Sequence, residues 1–496
     1  MNEKNALNQS AHYIHGQWVT GAGKAFVSQN PTDNSILWQG RFATPLEICN
    51  AYDAARAALP SWSRLPLEAR ANHLLAFSQH VSRHADALST LISLETGKPH
   101  WEAKTETQAV IAKINISITA HQERSLDKKT TDKNQITSGL RFKPHGVFAV
   151  LGPFNFPAHL SNGHIVPALL AGNTLIHKPS ELTPAVAAFI MQCWHDSGLP
   201  AGVLNLIHGD ARVATQLLNE DIQGVAFTGS YRAGLSIHES MSRRPEVLLA
   251  LEMGGNNALV VDHVSNIPAA VYQTLLSSFI TAGQRCTCAR RLMVPNSDSG
   301  DAFLKQLIQA CQRLRIGRPM DQPEPFMGPV ISHPHALQHL SAQSNLEALG
   351  GKSLLPMRQL HENSAFLSPG LLDMTSVSNV PDEEIFAPLL QIYRYDHFEE
   401  AMALANQTRY GLAAGLFSDH AATYETFYQT IRAGLIYWNR PTTGASSLLP
   451  FGGCGRSGNH RPSAFFATDY CAYPIASLEQ DQLSLPDQGL PGILLE

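Results

Sequence analysis

The chain has little of what would direct it to nucleic acid, a membrane or a disulfide-stapled fold. Charged residues make up only 16% of its 496 positions, and 36 Lys+Arg face 41 Asp+Glu for a net charge of −5. That balance offers no general attraction to nucleic acid or an anionic membrane, and no block of Lys/Arg reverses it locally. No apolar run reaches the roughly 18–20 residues that a membrane helix needs. The opening MNEKNALNQSAHYIHGQW lacks the apolar stretch and small-residue cleavage site of a secretory signal. Seven scattered cysteines, an odd number, do not describe a disulfide framework. The close pair Cys286 and Cys288 has no second Cys/His pair nearby to complete a zinc site. His333, His335 and His339 cluster, but with Pro334 among them and no carboxylate nearby they read as a solvated surface turn. These absences predict a cytoplasmic protein without a resident metal and without nucleic-acid or membrane partners.

What is present is core material: 44% of the residues are apolar, enough for two or three domains with large interiors. Thr44-Pro45-Leu46-Glu47 has capping-box spacing with proline at the first helical position, and predicts a helix to about residue 59. A Leu/Ala/Arg/Glu-rich stretch predicts one long helix over 67–96, stopped by Gly97. From Gly146 short apolar runs alternate with helix-length segments, predicting strands over 147–151, 174–177, 204–207, 225–228, 247–251 and 258–261, with a helix over 183–197. Buried strands separated by crossover helices imply an α/β fold with a parallel sheet. A second alternating region follows to about residue 446, with helices expected over 269–281 and 302–315. The segment 439–479 is dense in Gly, Pro and Ser.

No G-x-G-x-x-G fingerprint follows any of these strands. Two strand ends could still hold a cofactor. One strand runs straight into Gly229-Ser230-Tyr231-Arg232-Ala233-Gly234, where glycine permits a sharp turn, Ser230 can cap a helix, and the free N–H groups suit a phosphate. At the other, Lys178 and Glu181 stand three residues apart, placed to hold the hydroxyls of a ribose. A carboxylate there would repel a 2′-phosphate and favour NAD over NADP. A plain capped junction and a surface ion pair are the alternatives.

Three further residues could carry chemistry. Cys286 follows Gly283 in a Gly-Gln-Arg-Cys segment, where a tight turn would present the thiol at a cleft mouth; a nearby base or positive charge would then lower its pKa. Cys288 is the rival nucleophile. Glu252, beside Gly254 and Gly255 between apolar strands, is a candidate base for activating water, or else a carboxylate satisfied by the glycine amides. Asn155, in a loop stiffened by Pro153 and Pro157, could donate to a developing oxyanion.

PFNFP (153–157), KPSE (178–181), FTGS (227–230), LEMGG (251–255), GQRC (283–286), EEIFAP (383–388) and PFGG (450–453), in this order over residues 12 to 479, resemble the NAD(P)-dependent aldehyde dehydrogenase superfamily. The resemblance implies Cys286 as nucleophile, Glu252 as base, and Asn155 with the Cys286 amide as oxyanion hole. It implies NAD held by Lys178, Glu181, the run Gly229 to Gly234, Glu384 and Phe386. One departure is Asn256, where the family often has lysine. The implied architecture is a Rossmann-type dinucleotide domain (11–123 and 143–251), an α/β catalytic domain (252–446) and a small β oligomerisation extension (124–142 and 462–480). A Gly-rich loop (447–461) near the substrate entrance and a tail (481–496) complete it. Residues 122–135 read as an exposed arm, and a homodimer or tetramer is expected.

LEMGGNN, GQRCTCARRL (283–292), NRPTTGAS (439–446), PFGGCGRSGNHRPSA (450–464) and DYCAYPIASLE (469–479) resemble one branch of that family. This branch acts on N-succinylglutamate 5-semialdehyde in bacterial arginine degradation. Such a substrate carries two carboxylates, for which Arg285, Arg456, His460 and Arg461 are candidate partners. Succinic or glutamic semialdehyde, a cysteine esterase and a non-catalytic scaffold are the competing readings.

Overall fold

The computed structural model describes residues 11–133, 135–485 and 490–493. The opening decapeptide and part of the 481–496 tail lie outside the described residues. Two seven-stranded sheets organise the chain. In the first, the strands run Leu248–Met253, Gly224–Gly229, Val147–Leu151, Thr174–Lys178, Leu204–Leu206, Ala11–Ile14 and Gln17–Thr20 from edge to edge. The five consecutive strands from Leu248–Met253 to Leu204–Leu206 are parallel. Each is almost continuously apolar because both its faces are covered. Successive side chains go to opposite cores: Val147, Ala149 and Leu151 pack with Ile48, Ala51 and Ala55 of the helix Pro45–Arg64. Phe148 and Val150 pack with Ile165 and Leu169 of the helix His159–Ala171.

The second sheet runs Lys352–Leu355, Gly370–Asp373, Leu389–Tyr395, Ala289–Pro295, Asn257–Val261, Ala413–Phe417 and Leu435–Trp438, parallel except at its first strand. A third, antiparallel sheet joins Ala472–Glu479, Thr137–Pro144 and Lys128–Thr131. Its last strand, within the expected arm, is exposed at all four residues. Among the described residues no helix is long and apolar enough to cross a membrane.

Several boundaries differ from the sequence expectation, each for a local reason. The capping box at Thr44 forms, but the helix continues through Pro60 to Arg64, where Trp62 is buried and donates Nε1–H to Leu169 O at 3.1 Å. The single helix expected over 67–96 is two, Leu67–Arg83 and Ala85–Thr96, broken at His84. Phe77 and Val81 of the first helix and Leu88 and Ile92 of the second share one core. Gly97 ends the second helix with φ +79°. The helices expected over 269–281 and 302–315 begin earlier, at Ile267 and Asp298, where Asn266 and Ser297 supply caps. The histidine cluster is not a surface turn. It opens the helix His333–Ala348, capped by Ser332, with Pro334 in the first turn where no N–H is needed, and His339 is buried.

Candidate active site

A cavity of about 820 Å³ is lined from both large sheets, and the segment that carries Cys286 enters it by an unusual route. After the helix Ile267–Phe279, Thr281, Ala282 and Gly283 all adopt left-handed backbone, with φ of +57°, +51° and +74°. Only glycine fits at the third position, since a Cβ there would lie 2.1 Å from Ala387 O. The non-glycine residues hold this conformation because the surroundings determine it. The Thr281 hydroxyl donates to Glu102, and Arg285 donates to Thr281 Oγ1 at 2.7 Å and to Glu102 Oε1 at 2.8 Å. The turn leaves Cys286 half-buried on the cavity wall. Cys288 is fully buried, does not line the cavity, and lies 3.8 Å from Ile280 O. Asn257, which sequence reasoning passed over, fixes both: its Nδ2 donates to Cys286 O at 2.7 Å and Cys288 O at 2.9 Å.

Burial, then the nearby carboxylates Glu384 and Glu252, pushes the Cys286 thiol up to about 12, against an opposing pull from Arg290. The lowering expected from a nearby base or cation is therefore absent in this arrangement. Glu252 lies in the strand Leu248–Met253, faces the same cavity and has one carboxylate oxygen without a hydrogen-bond partner. Burial drives its pKa well above the usual carboxylate range, opposed by the Ser463 backbone amide. The Gly254–Gly255 amides do not satisfy it; the Gly255 amide serves Glu384 instead. Asn155 is buried on the cavity wall and donates one Nδ2 hydrogen to Gln284 O at 2.9 Å. Its second N–H remains for a ligand oxygen.

On the opposite side, the strand Gly224–Gly229 passes into the helix Tyr231–Met241, capped by Ser230, whose Oγ accepts from Ala233 N at 3.3 Å. Gly229, Ser230 and Ala233 line the cavity; Tyr231, Arg232 and Gly234 do not. Only one face of a first helical turn can look into a cleft. Tyr231 lies under the Arg456 guanidinium at 4.8 Å, and Arg232 is exposed. Gly234 lets the helix close on Met253, whose Sδ would be 2.4 Å from an added Cβ. Lys178 is buried rather than part of a surface pair. It donates to Pro179 O and Gly209 O at 2.7 Å each and stands 3.9 Å from Glu181.

Glu384 lies against Gly254, where a Cβ would be 1.7 Å from its oxygen, and burial raises its pKa to about 7. Its Oε1 has no hydrogen-bond partner, with Arg290 3.6 Å away. The Phe386 ring meets Phe154 edge-on at 6.0 Å. An orphaned carboxylate oxygen, a lysine–glutamate pair and an open helix N-terminus in one cavity fit the hydroxyls and phosphates of a dinucleotide.

Of the four cations expected to meet substrate carboxylates, only Arg285 lines the cavity, and Glu102 already neutralises it. Arg456 is stacked on Tyr231, while Arg461 donates to His460 O and neither of those two residues reaches the cavity. The cation that sequence reasoning missed is Lys113, buried on the helix His100–Arg124 and lining the cavity. Its signal was present: a lysine at helical spacing from Val110 and next to Ile114, on the face the helix buries.

The aldehyde dehydrogenase family model matches residues 18–473. The chain belongs to the aldehyde dehydrogenase family. An aldehyde dehydrogenase couples oxidation of an aldehyde to reduction of a nicotinamide dinucleotide, and this chain is such an oxidoreductase. It is 59% identical, over all of both chains, to a protein of Legionella pneumophila (strain Corby) named N-succinylglutamate 5-semialdehyde dehydrogenase. It is 50% identical to one of the same name from Escherichia coli O139:H28, over 97% of this chain and 98% of that one.

Among solved structures, methylmalonate-semialdehyde dehydrogenase from Oceanimonas doudoroffii matches with a TM-score of 0.90 at 28% identity, over 96% of this chain and 98% of that one. Betaine aldehyde dehydrogenase from Staphylococcus aureus, in complex with NAD+, matches with a TM-score of 0.90 at 25% identity, over 98% and 99%. In this aldehyde dehydrogenase, Asn256 donates to Asp382 at 3.0 Å and does not line the cavity. At the position where the resemblance often implies lysine, this chain thus has a residue turned away from the cavity.

Proposed function

We propose that this aldehyde dehydrogenase oxidises N-succinyl-L-glutamate 5-semialdehyde to N-succinyl-L-glutamate with NAD, as a step of arginine degradation. The convergence of Cys286, Glu252 and Asn155 on one cavity carries the chemistry, and the full-length identity to the Legionella protein supports the substrate. Cys286 reacts as its thiolate, the thiol proton that burial favours passing first to bulk water; the sulfur attacks the aldehyde carbon and the carbonyl electrons move onto oxygen. The free N–H of Asn155 and the Cys286 amide hold that oxyanion. Bound NAD would supply the hydride acceptor as the carbonyl re-forms. The product on Cys286 is a thioester. Glu252, with its raised proton affinity, takes a proton from the water that attacks this thioester, and the thiolate departs from the acid.

Lys178, Glu181, Glu384 and Phe386, with the Ser230-capped helix, hold the dinucleotide. Glu181 stands where a 2′-phosphate would be repelled, which supports NAD over NADP. Residues 11–123 and 143–251 form the dinucleotide domain, and 252–446 the catalytic domain. The sheet ending in Ala472–Glu479 joins subunits into a homodimer or tetramer. All seven cysteines are free, Cys286 among them, which supports work in the reducing cytoplasm.

NADH formation with N-succinylglutamate 5-semialdehyde, beside succinic and glutamic semialdehydes and with an NADP control, tests this reading. The succinylated aldehyde should have the highest kcat/KM and NAD should outperform NADP. Preference for a smaller semialdehyde would overturn the substrate, and silence on all three the reaction.

A further inference from the structure

The buried cations around the cavity are paired, with one exception. Lys98 donates to Glu106 at 2.6 Å, Arg285 to Glu102 at 2.8 Å, and Lys178 stands 3.9 Å from Glu181. Lys113 is 1% exposed, and among the described residues no carboxylate lies within 4.0 Å of its ammonium. Its hydrogen bond is to the backbone carbonyl of Ala464, at 2.9 Å. An ammonium has three donors, and burying it without a counter-ion is costly. Beside it His159 lines the cavity with its Nδ1 buried and unpartnered. Burial, then Lys113 and Lys98, pushes the pKa of that ring down to about 4, so it is a neutral donor or acceptor rather than a second cation. His164, the next basic group, is occupied at both nitrogens, by Tyr470 at 2.8 Å and Thr228 at 3.1 Å.

The location matters as much as the missing partner. Ala464, which holds Lys113, follows Ser463, the residue whose backbone contacts Glu252. The ammonium is thus bound to the residue next to the one that contacts the proposed base, and Lys113, Glu252 and Cys286 line the same cavity. We infer that Lys113 is the specificity-determining anchor for a carboxylate of the aldehyde substrate, with His159 beside it as a polar partner. The anchor selects aldehydes that carry a carboxylate a few bonds from the carbonyl. It rests on the substrate reading proposed above and adds the residue that makes the selection. Arg285, already neutralised by Glu102, is not available for the same task.

The test is steady-state kinetics of Lys113→Met and Lys113→Arg with N-succinylglutamate 5-semialdehyde, succinic semialdehyde and uncharged butanal. Lys113→Met should lose roughly 10- to 100-fold in kcat/KM on the carboxylated aldehydes, the range for a hydrogen bond to a charged group, while butanal stays within about threefold. Lys113→Arg, which keeps the charge, should lose less. An equal loss on all three aldehydes would make Lys113 a structural tie to Ala464 and overturn the inference. An unchanged preference for the carboxylated aldehydes would overturn it as well. If the wild-type enzyme ignores the succinylated aldehyde, the substrate reading falls, while succinic semialdehyde against butanal still decides the role of Lys113.

Discussion

The two walls of the cavity are assembled by different means. The wall proposed for the cofactor is local: Lys178 and Glu181 are three residues apart, and Gly229, Ser230 and Ala233 lie at one strand end. The wall proposed for the substrate is a convergence. Lys113 meets Ala464 across 351 residues, Thr281 meets Glu102 across 179, and Asn155 meets Gln284 across 129. A local wall can be read as a motif. A convergent wall exists only once the helix His100–Arg124 has docked, and its residues look like ordinary helix and loop residues until then.

The sharpest way to break the comparison is at the seam where the walls meet. Cys286→Ala should abolish aldehyde-dependent NADH formation, whereas Cys288→Ala should leave turnover and lower thermal stability, because Cys288 is packed away from the cavity. Equal losses of activity would return Cys288 to candidacy.

Next in size is Glu252→Gln, expected to cost about 10²–10⁴ in steady-state rate while keeping a burst of NADH from acyl-enzyme formation. Burial raises the Glu252 pKa, so the carboxyl is protonated, and useless as a base, below that raised value. Wild-type kcat should therefore fall as pH drops through it, and the variant should lose this limb. A pH profile identical in both proteins would assign the base elsewhere.

The smallest effect belongs to the local wall. Glu181 is half-exposed and screened, so Glu181→Gln should raise the KM for NAD only several-fold and narrow the NAD/NADP preference by about tenfold. A preference left untouched would mean that discrimination lies with another group.

The same contrast explains what could be read in advance. The strands from residue 147 to 261 were legible because burial on both faces makes them continuously apolar. Glu252 stood out as a carboxylate between apolar strands, and Cys286 and Asn155 by the glycine and prolines that mark their turns; the fold brings the three to one cavity. The break at His84 was not, since no glycine or proline marks it. Tyr231, Arg232 and Gly234 were expected in the cofactor site because a motif does not say which face of a helical turn looks inward. Asn257 was missed because its two carbonyl partners, 29 and 31 residues away, are set by tertiary packing.

The helix His100–Arg124 has 25 residues, a rod roughly 37 Å long at 1.5 Å per residue. Near its start Glu102 grips the strained turn before Cys286; midway Lys113 reaches Ala464; at its end Arg124 pairs with Asp469 at 2.6 Å, just ahead of the strand Ala472–Glu479. Three stations of the enzyme thus share one stiff beam, which ties the strand at one end to the Cys286 turn at the other.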